Sequence, residues 1–181
     1  MILAKTASLV GEDPIDSTNI NIMYALSLYE NGSFEKSFNI FSDMVTDPSE
    51  VLNLFPSVCP VKTKNTKQLA KYINAGLKFK EEEKTEAIRA LIDYLVKWRV
   101  KLRKSESVLY CSPLFDDKKI EKQKSSLQQI VDTTLLKCYV CINSPLVAPL
   151  LRQENFCHLD EAETVLEKFE KYQVFVFFIP G

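Results

Sequence analysis

The sequence predicts an all-α fold, built from helical hairpins arranged as an α-solenoid. Three observations carry that prediction. The chain has four glycines in 181 residues, too few for the many tight turns of a β-sandwich or barrel. Apolar residues recur at three- and four-residue spacing in most segments, the period of a helix with one buried face. Short turn signals, above all Asn31-Gly32, separate neighbouring amphipathic stretches, so successive helices must lie side by side.

Residues 1–16 read as an irregular lead-in, with Gly11, Asp13 and Pro14 interrupting any helix. Residues 17–56 read as a hairpin plus a short helix. Ser17 or Thr18 caps the first helix, and Ile20, Met23, Tyr24, Leu26, Leu28 and Tyr29 follow at mostly helical spacing. Gly32 ends it, because glycine tolerates the left-handed conformation with which helices often stop. Ser33 caps the second helix, whose apolar face is Phe34, Phe38, Ile40, Phe41 and Met44. Asp47-Pro48 opens a third, since proline is preorganised for a first helical turn. Val51, Leu52, Leu54 and Phe55 give it an apolar side, and Pro56 closes it.

Residues 57–66 read as a loop and residues 67–104 as helices. Lys67–Phe79 places Leu69, Tyr72, Ile73 and Leu77 inward, and Lys80–Lys84 is a charged boundary. Thr85–Lys104 is the clearest helix: Ile88, Leu91, Ile92, Leu95, Trp98 and Leu102 form a buried stripe opposite Arg89, Asp93, Lys97 and Lys101. Residues 105–124 mix Pro113 with charges and serines and read as a surface loop. Residues 125–172 return to helices. Ser125–Ile142 turns Leu127, Ile130, Val131, Leu135, Cys138 and Tyr139 inward; Leu146–Leu151 is short; Asp160–Tyr172 buries Ala162, Val165, Leu166 and Phe169. Residues 173–181 are an atypical apolar tail. Val174–Ile179 favours a strand by residue type but has no partner strand in sight, which suggests a truncated product or an alternative ending.

The charges and reactive side chains point away from chemistry. With 23 basic and 24 acidic residues the net charge is −1, so no global positive field draws nucleic acid or an anionic membrane. No apolar run approaches the roughly 20 residues that span a bilayer. Five cysteines, an odd count without a signal-peptide pattern, read as reduced cytosolic thiols. Cys138 and Cys141 with Cys157 and His158 have the residue types of a zinc site. The first pair lies inside a predicted helix and the second pair is adjacent, so packing as small hydrophobes is the preferred reading. His158, the single histidine, has Asp160 and Glu161 nearby but no coherent nucleophile. No glycine loop cradles phosphate. The expectation is therefore a non-enzyme, with no catalytic, cofactor-binding or metal-binding residue and no cofactor.

Lys97–Lys104, KWRVKLRK, is a basic run that suits acidic lipid headgroups or RNA. Helix periodicity gives a plainer account, in which Trp98 and Leu102 pack and the cations stay in water. Glu81-Glu82-Glu83 is a solvated boundary, and Asp116-Asp117 lacks calcium-loop spacing. Tyr24-x-x-x-Leu28 followed by Gly32-x-Phe34-Glu35-Lys36 is similar to tetratricopeptide-type hairpins, where aromatics wedge two helices together.

Two blocks carry a more specific resemblance. Tyr24–Pro56 includes Gly32-Ser-Phe-Glu-Lys36, Asp47-Pro48-Ser-Glu-Val51 and Leu54-Phe55-Pro56. Ile130-Val-Asp-Thr-Thr-Leu-Leu-Lys-Cys-Tyr139 is followed by Leu146-Val-Ala-Pro-Leu-Leu-Arg152 and Glu154-Asn155. Ala87–Leu95 matches the helix between them. In order and spacing the chain resembles, over roughly residues 20–172, the central region of the vacuolar protein sorting-associated protein thirty-nine family. The resemblance implies a clathrin-repeat-like α-solenoid in a subunit of the HOPS tether, which acts in late endosome and lysosome or vacuole fusion. It implies other class C sorting subunits as partners, a late-endosomal Rab GTPase through the full-length protein, and a cytoplasmic location with peripheral membrane contact. The early-endosomal CORVET subunit of the transforming growth factor-β receptor-associated type is the close alternative; Thr133–Arg152 favours the HOPS member. The family's amino-terminal β-propeller and carboxy-terminal zinc-binding end have no counterpart in these residues.

Overall fold

A proline opens the first helix of the computed structural model, which describes residues 14–44, 46–60, 79–104, 117–142 and 144–168, with the backbone alone for 14–18 and 117–122. Helix α1 (Pro14–Glu30) and α2 (Phe34–Asp43) form a hairpin, followed by the one-turn α3 (Pro48–Val51) and a 3-10 turn over Leu52–Leu54. The long helices α4 (Glu81–Arg103) and α5 (Asp117–Cys141) come next, then α6 (Val147–Arg152) and α7 (Leu159–Lys168). The described residues contain helices and turns and no strand, so this part of the chain is all-α.

The hairpin turn is closed by backbone bonds and by the Asn31 amide, which donates to the Ser27 carbonyl at 2.8 Å. The Ser33 N–H reaches the Leu28 carbonyl at 2.8 Å and the Gly32 N–H reaches Tyr29 at 3.1 Å, the paired bonds that satisfy orphan carbonyls at a helix end. They require the left-handed φ of +75° at Gly32. Ser33 sits at the start of α2, yet its side chain makes no capping bond. At the crossing of the two helices Ala25 and Ser37 are both fully buried. The Ser37 hydroxyl donates to the Ala25 carbonyl at 2.7 Å, so close approach leaves no polar group unsatisfied.

Tyr29 of α1 is the centre of an aromatic wedge that joins α2, the turn after α3 and Phe79 just ahead of α4. Its ring meets Phe34, Phe55 and Phe79 edge-on, with centroids 5.4, 5.8 and 5.3 Å away, the geometry that pairs a ring's positive edge with a negative face. Phe38 stacks on Phe55 and touches Tyr94 of α4. The Tyr94 hydroxyl donates to the Thr46 carbonyl at 2.9 Å, tying α4 to the α2–α3 connection. Asp47 caps α3 by accepting the Ser49 N–H at 2.8 Å.

Packing runs from neighbour to neighbour: α1 on α2, α2 on α4, α4 on α5, α5 on α7, with α3 and α6 also against α5. Helix α5 thus touches four elements. Every residue from Val131 to Leu136 is buried, as expected of a helix enclosed on all sides rather than lying on a surface.

Several boundaries differ from the sequence reading, each for a local reason. Helix α1 starts at Pro14 instead of behind a Ser17 or Thr18 cap, because proline suits the first helical position. Helix α4 starts at Glu81 instead of Thr85: Glu83 accepts the Lys80 N–H at 2.8 Å, and three glutamates in the first turn suit the helix dipole. Helix α5 starts at Asp117 within the expected surface loop, since Asp117–Lys124 is rich in the strong helix formers Lys, Glu and Gln. Tyr24 is exposed, so the wedge falls to Tyr29. Of the expected helix over 67–79 only Phe79 is described, and it is not helical; the lead-in before residue 14, residues 169–172 of the last helix and the tail 173–181 lie outside the described residues.

Gly32 tests the hairpin. A Cβ there would meet nothing within 4 Å, so only the backbone conformation resists a side chain. Gly32→Ala should cost about 1 kcal/mol in urea unfolding, and Gly32→Asn should cost less because asparagine tolerates this region.

Candidate functional site

Burial of Asp132, Thr133 and Thr134 on α5 raises the question of what satisfies them, since a buried charge without partners is strongly destabilising. The answer is the linker between α6 and α7. Asp132 Oδ2 accepts the Phe156 N–H at 2.9 Å, and Thr133 Oγ1 accepts the His158 N–H at 2.9 Å. Thr134 turns the other way and donates to the Ile130 carbonyl of its own helix at 2.7 Å.

Helix α4 completes the arrangement. Arg99 Nε lies 2.8 Å from Asp132 Oδ1, a charge contact without a well-aligned N–H···O bond. The Arg99 guanidinium also donates to the Glu154 carbonyl at 3.2 Å, and Arg103, one turn on, donates to the same carbonyl. Within the linker Asn155 folds back: its amide donates to Gln153 at 3.0 Å and its carbonyl accepts the Cys157 N–H at 3.2 Å. Six residues without regular structure are thus fastened to two helices by side-chain-to-backbone bonds.

A second ion pair closes the lower side. Lys137 of α5 meets Glu161 of α7, and both side chains are largely buried; Lys137 also reaches the Cys59 carbonyl at 3.5 Å. The Glu81–Lys84 pair, by contrast, is solvent-exposed and contributes little.

Most cations of the basic run are engaged by groups of the same chain. Lys97 donates to Asn39 and Lys101 to the Ser42 carbonyl, both toward α2, while Arg99 and Arg103 point to the linker. Lys101 also stands 5.4 Å from the centre of the Trp98 ring, a cation–π contact. Four of the five cations in KWRVKLRK therefore bind this chain's own groups, which gives lipid or RNA contact through this run no structural support.

Cys138 is enclosed in the core while Cys141 is exposed at the end of the same helix. Among the described residues no group of three metal-ligating side chains gathers. Burial raises the thiols of Cys138 and Cys141, and burial together with the Asp132 carboxylate pushes Cys157 up to about 12. Protonated thiols are poor nucleophiles and metal ligands. His158 contributes its backbone N–H to Thr133, while its ring Nδ1 is buried without a hydrogen-bond partner.

The clefts are equally plain. One of about 400 Å³ beside the start of α2 is lined by Glu35, Lys36, Glu86, Arg89 and Asp93, charges of alternating sign typical of a solvated helix face. Another of about 470 Å³ is mostly apolar, with Tyr29, Phe55, Phe79 and Ile88 in its walls. Among the described residues no helix is long and apolar enough to cross a membrane.

Over the described residues, fold and site define a helical segment in which the buried Asp132, Thr133 and Lys137 side chains fasten neighbouring elements to α5. The comparisons place it. A model described as vacuolar sorting protein 39 domain 1 matches residues 131–179, the stretch that contains Asp132, Thr133 and the linker they hold. Vam6/Vps39-like proteins from Mus musculus and Homo sapiens are each 42% identical to this chain over 159 residues, covering 85% of it and 18% of the relative. A vacuolar protein sorting-associated protein 39 homolog from Drosophila melanogaster is 35% identical over 84% of the chain and 16% of its own length. The chain belongs to the vacuolar sorting protein 39 family and spans less than a fifth of the length of these curated relatives. No solved structure matches it.

The sequence reading singled out the block around residues 130–155 but missed Arg99, which it treated as one cation in a run. A cation two positions away from the outward Lys97 and Lys101 was the available signal: two residues on a helix are about 200° apart, so Arg99 could not share their face.

Two tests follow from the geometry. Thr133→Val strips the acceptor from the His158 N–H and should cost about 1–3 kcal/mol. Thr134→Val removes only a bond to its own helix and should cost clearly less; chemical denaturation of both variants measures the contrast. The raised values also set a pH dependence. Cys157 rises from 9.0 to about 12, and Tyr29, by burial, from 10.0 to about 12. The unfolded chain loses these protons first, so stability should hold below about pH 9 and fall as pH rises toward 12. Urea unfolding in reductant should show a shallower alkaline loss for Cys157→Ala.

Proposed function

We propose that this chain is a non-catalytic scaffold segment of an endolysosomal membrane-tethering subunit, acting in vesicle trafficking and late endosome–lysosome or vacuole fusion. The observation that carries the reading is 42% identity across 85% of the chain to the Vam6/Vps39-like proteins. The polar residues of the Asp132–Thr133 block lie within the matched family domain. The helices stack as a piece of an α-solenoid, and apolar helix surfaces of this stack meet other class C vacuolar sorting subunits of the HOPS complex. The Rab GTPase contact belongs to the full-length subunit, and membrane contact is peripheral or through partners. Chain chemistry supports the non-catalytic role: the buried charges serve as fasteners, and burial raises the thiols of Cys138 and Cys157.

The early-endosomal CORVET tether is the competing assignment, and the Thr133–Arg152 run favours HOPS. A pulldown of the purified chain against both sets of subunits separates them. HOPS subunits should be retained above a composition-matched helical control. Retention no better than the control would sink the scaffold reading, and preferential capture of CORVET-specific subunits would move the assignment to the early endosome.

A further inference from the structure

We draw no further inference here: the strongest candidate, the outward face of α1 where Ile20, Met23 and Tyr24 stand exposed, carries nothing because nothing in the structure shows what covers it.

Discussion

The Asp132 carboxylate, almost wholly enclosed with 3% of its side chain exposed, is the constraint on which the second half of the structure depends. A charge in that position needs partners on every side. Arg99 supplies the countercharge from α4, and Phe156 supplies a backbone N–H from the linker ahead of α7. One side chain on α5 thereby fixes the spacing of α4 and the path of the chain between α6 and α7. Replacing such a pair by apolar residues of similar volume is often tolerated, but removing one member leaves an unpaired charge and costs several kcal/mol. The pair is best understood as specifying an arrangement rather than as a store of stability.

The first half is held by different means. Around Tyr29 the fastening is aromatic, with rings from α1, α2, the turn after α3 and Phe79 meeting edge-on. Specific hydrogen bonds accompany the rings: Tyr29 to Leu54, Ser37 to Ala25 at the helix crossing and Tyr94 of α4 to Thr46. Helix α4 belongs to both halves. Its Leu91, Leu95 and Trp98 are buried in the shared core, Lys97 and Lys101 bind α2, and Arg99 and Arg103 bind the linker. That double duty explains a basic run in a chain of net charge −1 without calling on an outside anion.

The helical class was legible because it rests on periodicity and on turn residues that act locally. The stripe on α4 and the Gly32 stop are of that kind. What was not legible depends on contacts far apart in sequence. Asp132 and Phe156 are 24 residues apart, and Lys97 and Asn39 are 58 apart; no local pattern announces such pairs. The start of α5 was misplaced because charged, highly helix-prone residues resemble a solvated loop when read by hydropathy alone. The linker itself shows the same limit from the other direction: Thr133 and Asn155 lie in the block that carries the family resemblance, but only the fold says that they bind backbone. The functional assignment came from likeness to known relatives, since a packing clamp is chemically silent about what the stack of helices meets.

The most direct measurement is a double-mutant cycle on Arg99→Ala and Asp132→Ala, read by chemical denaturation. Each single change should destabilise by about 3 kcal/mol, because each strands a buried charge. The double mutant should lose clearly less than the sum of the two, giving a coupling of about 1–3 kcal/mol. Additive losses, or single changes that each cost less than about 0.5 kcal/mol, would mean that Asp132 and Arg99 do not act as a pair and that something else holds the linker and α7 in place.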